Sequence, residues 1–299
     1  MFSLKQLVAD NLPAAKPELW ADVSGTLWRR LAAWVNTRVD PAWPKRPFIT
    51  TIEPDRLMLE VVPGDVIGMP IAQCGVYEFA VSSLVREYLK PGDVFVDVGA
   101  NIGYYSVIAG AIVGHSGVVY AFEPSARIRA RLERNIALNN MTQVRVRPEA
   151  VTAQSGVVRL IESRDTGNDG LAYVSTNGGD AGAEVRAVRL DQLTELSNPP
   201  PALIKVDVEG GEPEVFRGAT AMLDRADAPT ILFESFEIAR DAEILRNHGY
   251  QVLQPALRDG RVRLTPDLEA PRYRRWEAPN FLAVKSQRGR QFVEARVVD

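Results

Sequence analysis

The chain of 299 residues carries a formal net charge of -3, and 46% of its residues are hydrophobic. This composition is that of a folded protein with a sizeable core, and it excludes a mostly disordered chain. Because the charge balance is slightly acidic, the chain has no overall cationic field, and we expect no nucleic acid partner.

Cysteine content and hydropathy indicate the compartment. Cys74 is the single cysteine, which excludes an internal disulfide, and two histidines cannot supply a Cys/His zinc cluster. The N-terminus lacks the apolar core and cleavage site of a signal peptide. The longest nearly apolar stretch, residues 104–114, is shorter than the ~20 residues that span a bilayer. We therefore expect a cytoplasmic protein with no membrane span.

The N-terminal part, residues 1–74, is predicted to be an appendage. Its first half has a helix-like pattern, and strand-like alternation follows over residues 48–73. Tryptophans recur through the helical half at Trp20, Trp28, Trp34 and Trp43. These side chains could pack the appendage onto the main domain, cover a substrate, or form the contact of a homodimer. The sequence leaves these alternatives open.

The main domain is predicted over residues 75–285, and it opens with a helix near residues 77–89. Short apolar runs then alternate with helical stretches, and this βαβαβ pattern predicts an α/β fold with a doubly wound, mostly parallel sheet of about seven strands. Strands are predicted at residues 94–98, 118–122, 144–147, 185–190, 203–208, 230–234, 251–253 and 281–285. Helices are predicted at residues 102–113, 125–139, 212–223 and 240–247.

Two further segments have no predicted regular structure. The polar stretch 163–182 is rich in Gly, Asn and Asp and is predicted to be a loop over the site. Residues 286–299 are basic, and we expect a solvated tail, with contact to an anionic substrate or carrier as the alternative.

A candidate nucleotide site follows the strand at residues 94–98. The sequence DVGANIGYYS, residues 97–106, runs from that strand through a glycine-containing turn into a helix, so backbone N–H groups face a ligand at the helix N-terminus. Glu123 ends the next strand, where a carboxylate can accept hydrogen bonds from both ribose hydroxyls. This pair of features predicts a nucleotide-like cofactor.

The turn separates two possible cofactors. A dinucleotide fingerprint has a glycine where this sequence has Asn101, and an acid before the turn is unfavourable beside a pyrophosphate. Asp97 instead suits the ammonium group of S-adenosylmethionine. An NAD-dependent oxidoreductase remains the alternative from a different class, and a binding module without turnover is a third.

Three blocks of this sequence resemble one family. The blocks are residues 97–106, Phe122-Glu123-Pro124, and residues 204–212 (IKVDVEGGE) with Arg217-Gly218-Ala219. Together they are similar to the FkbM family of S-adenosylmethionine-dependent methyltransferases, and the resemblance covers about residues 75–285. It implies a class I, Rossmann-like methyltransferase fold, with a seven-stranded sheet whose last strand is antiparallel.

The resemblance also implies the cofactor contacts. It assigns the methionine part of the cofactor to Asp97, Gly99, Asn101 and Gly103. The ribose falls to Glu123, followed by Pro124, and the adenine to Glu149 and Ala150. Glu78, before the first strand of the domain, matches a family glutamate and could close the site from above; a surface carboxylate is the alternative for this residue.

The chemical site is expected where the strand at residues 203–208 ends. Asp207 and Glu209 face the same crevice as the cofactor turn, because ligands of open α/β sheets lie beyond the carboxyl ends of the strands. We predict that both are catalytic, with Asp207 orienting or deprotonating the acceptor. Asp207 and Glu234 could hold Mg²⁺, but the sequence offers no third ligand, so we predict no metal site.

The resemblance implies the reaction. Members of the family mostly methylate hydroxyl groups, and we expect O-methylation of a sugar, a glycolipid or a natural-product small molecule. N-methylation of a peptide or an amine stays open at this stage.

Overall fold

The computed structural model describes residues 46–62, 67–162, 172–175, 182–258, 261–269 and 278–297. The tryptophan-rich segment that was predicted to be helical, with its alternatives of packing, lid or homodimer contact, lies in residues 1–45, outside the described residues. No helix of these described ranges is long and apolar enough to cross a membrane.

Strands and helices alternate through most of the chain. The strands are β1 (Phe48–Ile52), β2 (Leu57–Val61), β3 (Val94–Val98), β4 (Val118–Phe122), β5 (Val144–Arg147), β6 (Ala150–Val151), β7 (Gly156–Glu162), β8 (Ala172–Ser175), β9 (Ala183–Val188), β10 (Leu203–Val206), β11 (Thr230–Glu234), β12 (Gln251–Arg258), β13 (Arg261–Thr265) and β14 (Asn280–Val284). The helices are α1 (Gly68–Cys74), α2 (Phe79–Tyr88), α3 (Tyr104–Val113), α4 (Ala126–Leu138), α5 (Glu212–Arg217), α6 (Thr220–Leu223), α7 (Ile238–Asn247) and α8 (Gln287–Glu294).

The central sheet has eight strands in the order β13-β12-β14-β11-β10-β3-β4-β5. Strands β3, β4, β5, β10 and β11 run parallel, whereas β14 is antiparallel to both β11 and β12. This confirms the predicted class I methyltransferase fold. The sheet has one strand more than predicted because β12 continues into the edge strand β13. Alternating arginines in β13 made this segment look polar, since an edge strand can expose half of its side chains.

Strand β3 is buried on both faces, and its side chains alternate between two hydrophobic layers. Val94, Val96 and Val98 pack in the cluster that contains Phe216 of α5. Phe95 points the other way, into the cluster that contains helix α3. The sheet is therefore covered by helices on both faces, and its carboxyl ends remain available for a site.

The described part of the predicted appendage shares the main core. Strands β1 and β2 form the predicted small β element, and Ile52 and Leu59 pack in the same hydrophobic cluster as helix α2. Side chains of helix α4 and of its C-cap residue accept hydrogen bonds from backbone N–H groups of β2. Glu60 N donates to Asn135 Oδ1 over 2.7 Å, and Met58 N donates to Asn139 Oδ1 over 2.9 Å. The hairpin is thus held by hydrogen bonds as well as by apolar packing.

The stretch predicted as a loop contains regular structure, and this part of the prediction is wrong. Strand β8 lies within residues 163–182 and pairs with β7, so that β6, β9, β7 and β8 form a separate four-stranded sheet. Strand β7 was not predicted either. Its alternation is weak because most of its side chains are partly exposed.

The single helix predicted at residues 212–223 is divided into α5 and α6. The division falls at Gly218, which packs against the backbone of Thr152. A Cβ added there would lie 2.2 Å from the Thr152 carbonyl oxygen. This close approach packs the α5–α6 pair against the end of strand β6, which Thr152 follows.

The C-terminal segment is docked on the domain, which corrects the expected solvated tail. Arg288 of α8 donates to both carboxylate oxygens of Asp93, over 2.7 and 2.6 Å, and to the Tyr88 carbonyl over 2.7 Å. Its guanidinium also lies 4.7 Å from the centre of the Tyr88 ring. Basic residues in this segment are therefore partly structural, because they bind acids and carbonyls of the main domain.

Replacing Arg288 with Ala should destabilise the protein by about 1.5–3 kcal/mol, because hydrogen bonds of a charged donor are lost and Asp93 is left without that partner. Urea unfolding of the two proteins gives the difference. Arg290→Ala is the matched control, since Arg290 is exposed on the same helix. Equal stability of the Arg288→Ala and Arg290→Ala variants would contradict the docking of α8.

Candidate active site

A cavity of about 1470 Å³ opens at the carboxyl ends of the central strands. Its walls include the turn after β3, the end of β4, the loop after β10 and the end of β11. Val158 and Leu160 of the four-stranded sheet close another side. The segment predicted as a loop adds Ala172 and Val174 of β8 to the wall of the cavity.

The β3–α3 turn has the backbone conformation that its glycines allow. Gly99 has φ 81°, and Asn101 has φ 50°, in the left-handed region where asparagine is tolerated better than most residues. Gly99 N and Ala100 N donate to the Phe122 carbonyl over 3.0 and 2.9 Å, which fixes the turn to the end of β4. Gly103 lies two residues after Asn101 and immediately before the first residue of helix α3.

Gly99 also lies against the chain that leaves β10. A Cβ at this position would be only 1.8 Å from the Asp207 carbonyl oxygen, so no other residue fits without a backbone shift. The turn predicted to bind the cofactor and the loop predicted to carry the chemistry are therefore in direct contact.

Glu123 is buried beside the turn, and Pro124 follows it in the cavity wall. Its two carboxylate oxygens accept hydrogen bonds from Asn101 N, over 3.0 Å, and from Ser125 N, over 2.8 Å. Burial raises the pKa of Glu123 to about 7, although these backbone donors oppose the shift. The carboxylate is held in one orientation, and each oxygen keeps a lone pair for a diol.

Asp97 is 1% exposed, at the end of β3. Its Oδ2 accepts a hydrogen bond from Ser106 Oγ over 2.6 Å, whereas Oδ1 has no hydrogen-bond partner among the described residues. Burial raises the pKa of Asp97, and the neighbouring Lys205 opposes this. A buried carboxylate oxygen without a partner calls for an explanation, and a cationic donor would satisfy it. Asp97 is not among the residues that line the cavity, so its contact with the ammonium group of the cofactor remains a prediction.

Glu78 is not a surface carboxylate. It is buried at the start of α2, where it accepts hydrogen bonds from Tyr105 Oη over 2.6 Å and from Asn280 Nδ2 over 2.9 Å. Its φ of 43° is a left-handed conformation that these contacts stabilise. Glu78 thereby connects α2, α3 and β14 next to the cavity, and its contact with the cofactor remains a prediction.

Glu149 and Ala150 line the cavity after β5, as the predicted adenine contacts require. Arg147 orients the Glu149 carboxylate through Nε, over 3.2 Å, and through Nη2, over 3.3 Å. Arg147 also binds Glu195. The adenine contact itself is a prediction, which this arrangement makes geometrically possible.

The predicted catalytic Asp207 is paired with a buried lysine that sequence reasoning missed. Lys205 Nζ lies 2.7 Å from Asp207 Oδ2 and 4.7 Å from the centre of the Tyr105 ring. Burial lowers the pKa of Lys205, but the carboxylates of Asp207, Asp97 and Glu78 outweigh it, and the pKa lies above its usual value. The sequence does contain a signal for this ion pair: Lys205 lies inside the apolar run LIKV, and a charge in a buried strand requires a partner.

Three further acids surround Asp207, and they differ in their surroundings. Burial, with Asp207 and Glu212, raises the pKa of Glu209 to about 7. Burial, with Asp207, Glu78 and Glu209, raises the pKa of Glu234 to about 10. Glu212 accepts hydrogen bonds from Val208 N and Gly210 N over 3.0 and 3.3 Å, which shapes the loop. Glu209 and Glu234 face the cavity.

Asp207 and Glu234 are the predicted metal candidates. In the portion of the chain that the structure describes, no group of three or more His, Cys, Asp or Glu side chains is arranged to hold a metal ion. Asp207 is bound to Lys205 instead, so a cation already occupies one of its oxygens.

Comparison with known proteins identifies the family. Residues 97–252 match the model of the methyltransferase FkbM domain, and the chain belongs to this family. Its cofactor is S-adenosylmethionine. Glu123 lines the cavity and can accept hydrogen bonds from the ribose hydroxyls, whereas the contact of Asp97 with the ammonium group remains a prediction. Membership of this family excludes the alternative that the protein is an NAD-dependent oxidoreductase.

Two curated relatives are similar over part of the chain. Hexuronic acid methyltransferase AglP of Haloferax volcanii is 33% identical over 144 residues, which are 48% of this chain and 56% of AglP. The 31-O-demethyl-FK506 methyltransferase FkbM of Streptomyces tacrolimicus is 31% identical over 202 residues, and the match covers 55% of this chain and 75% of that protein. The similarity thus spans little more than half the length of AglP.

A solved structure of the same family is also similar. Methyltransferase FkbM from Methylobacillus flagellatus is 17% identical, with a TM-score of 0.38, over 68% of this chain and 53% of that one.

Gly99→Ala should lower the free energy of unfolding by about 2 kcal/mol or more beyond Gly92→Ala. Both glycines have left-handed φ values, 81° and 88°, so both variants carry a similar backbone strain. Only Gly99 adds a collision with backbone, since the nearest atom to a Cβ at Gly92 is Ser116 Oγ at 3.7 Å. Denaturant unfolding measures the difference, and equal losses would contradict the contact of Gly99 with Asp207.

Glu123→Ala should weaken binding of S-adenosylhomocysteine by roughly 10- to 150-fold, because paired hydrogen bonds to a carboxylate are lost. Titration calorimetry gives both dissociation constants. Glu133→Ala is the control, since Glu133 is exposed on α4. Unchanged affinity in the Glu123 variant would show that the ribose does not contact this carboxylate.

Proposed function

We propose that this protein transfers the methyl group of S-adenosylmethionine to a hydroxyl oxygen of a sugar, a glycolipid or a natural-product small molecule. Two relatives support this acceptor class, because their names specify a hexuronic acid methyltransferase and a 31-O-demethyl-FK506 methyltransferase. The observation that carries the proposal is Glu209, a carboxylate in the cavity wall whose pKa is raised to about 7.

A hydroxyl acceptor needs a base. Its oxygen becomes a sufficient nucleophile when its proton is removed as the bond to the methyl carbon forms, and a base with a pKa near the operating pH does this best. Glu209 meets this requirement better than a glutamate far from other acids, since partial burial in the cavity wall and the Asp207 charge both raise its pKa. We therefore assign proton removal to Glu209.

The sequence predicted that Asp207 orients or deprotonates the acceptor, and in this proposal it only orients it. Its Oδ2 is fixed by Lys205 over 2.7 Å, and its side chain is 26% exposed toward the cavity. A carboxylate held in this way can accept a hydrogen bond from the acceptor hydroxyl and align it with the methyl group. Asp207 thus orients the acceptor, and Glu209 removes the proton.

The acceptor class can be tested with S-adenosylmethionine carrying a deuterated methyl group. The full chain is incubated with neutral glycosides, with a hexuronic acid glycoside, and with amines and peptides, and the products are analysed by mass spectrometry and NMR. We expect the label on an oxygen of a hydroxylated compound. Transfer exclusively to nitrogen would overturn the proposal in favour of N-methylation.

The value of kcat/KM should rise with pH up to about 7 and then level off, because Glu209 is active when ionised and its ionised fraction grows through that range. Glu209→Gln should lower kcat/KM by about 100-fold or more and remove this rise. Glu243→Gln is the control, because Glu243 is exposed on α7 and does not line the cavity. A Glu209→Gln enzyme that keeps the same pH profile would exclude Glu209 as the base.

A further inference from the structure

An exposed aromatic side chain stands in the wall of the active-site cavity. Phe236 is 71% exposed and lines the same cavity as Glu209 and Glu234. An exposed phenyl ring forgoes the favourable free energy that burial of its apolar surface would provide. A ring in this position gains that burial when a ligand with an apolar face covers it.

The backbone around Phe236 is fixed on both sides. Ser235 N donates to the Pro279 carbonyl over 2.9 Å, and Ser235 Oγ donates to the buried Asp241 over 2.7 Å. Glu237 N donates in turn to Ser235 Oγ over 3.1 Å. The turn therefore presents the ring from a preorganised position, which reduces the entropy lost when a ligand binds.

The charges of the cavity favour a neutral ligand. Among the described residues of the wall, each cation already has an acidic partner: Arg159 pairs with Glu184, Lys205 with Asp207, Arg217 with Glu214, and Arg240 with Glu237 and Asp241. A carboxylate or phosphate on the acceptor would have to share one of these cations with its acid, and it would lie beside the other carboxylates of the wall. Hydroxyl groups, by contrast, can bind to the acids directly.

We propose that Phe236 is the acceptor platform of this enzyme: its ring packs against the apolar face of a neutral pyranose, and the hydroxyl edge of that sugar faces Glu209 and Glu234. This inference rests on the proposed O-methylation and narrows its acceptor to a neutral glycoside. It separates this protein from a hexuronic acid methyltransferase, since the acceptor of such an enzyme carries a carboxylate.

Glu234 supplies the polar side of the platform. It is two residues before Phe236, buried at the end of β11, and lines the same wall. A carboxyl group there can hydrogen-bond to a sugar hydroxyl next to the one that is methylated. The acceptor is thus held by apolar contact on one face and by hydrogen bonds at its edge, and the reacting oxygen is directed toward Glu209.

Binding of sugar probes tests the platform without requiring turnover. The full chain, saturated with S-adenosylhomocysteine, is titrated by saturation-transfer NMR with methyl glycosides of glucose, galactose, mannose, rhamnose and xylose. Methyl glucuronoside and the acyclic polyol sorbitol are the comparison ligands. We expect at least one neutral glycoside to bind more tightly than both. If none does, while S-adenosylhomocysteine binds, the inference is overturned.

Variants of the ring identify the contact. Phe236→Ala should weaken binding of the preferred glycoside by roughly tenfold, and Phe236→Tyr should retain most of it because the aromatic face is kept. Tyr173→Ala is the matched control, since Tyr173 is a partly exposed aromatic residue on β8. All variants should bind S-adenosylhomocysteine as the wild type does, which excludes unfolding as the cause.

The two proposals fail in different ways. If the glycoside affinity is the same in Phe236→Ala as in the wild type, while label still reaches a hydroxyl oxygen, the platform is wrong and O-methylation stands. If label reaches only nitrogen, the proposed function is wrong, and the platform assigned to a sugar acceptor is overturned with it.

Discussion

The site depends on the buried ammonium group of Lys205. Carboxylates repel one another, and burial makes each of them more costly to ionise, so acids gather at one edge of a sheet only when a cation compensates them. Lys205 provides this charge from the middle of the sheet. It forms an ion pair with Asp207 and lies over the Tyr105 ring, and its pKa is raised by Asp97 and Glu78 as well.

At the carboxyl edge of the sheet, the β3–α3 turn is also in contact with the loop after β10. Gly99 packs directly on the Asp207 backbone, so a change in one turn displaces the other. The turn predicted to bind the methyl donor and the acid proposed to orient the acceptor are therefore fixed relative to each other, because they follow the neighbouring parallel strands β3 and β10 and their backbones are in contact. Methyl transfer depends mainly on such alignment, and the fold provides it before any substrate binds.

The sequence predicted the elements with strong periodicity and the residues that follow them. The strand at residues 94–98 and the position of Glu123 were predictable because a parallel sheet places the ends of its strands at one edge. Lys205 and Phe236 were not predicted as site residues. The apolar run around Lys205 indicates that the lysine needs a partner but not which one, and nothing local shows which aromatic side chain stays exposed. Strand β8 and the docking of Arg288 depend on partners far away in the chain.

The thermal shift produced by S-adenosylhomocysteine in the wild type and in Asp97→Asn tests the central claim most directly, namely that the acids at this edge hold the cofactor. Asn keeps the shape of the buried side chain and removes its charge, so the free variant should melt close to the wild type. A ligand at ~100 times its Kd stabilises the wild type by about 2.7 kcal/mol. We predict that Asp97→Asn loses most of this shift; an equal shift in both proteins would contradict the account.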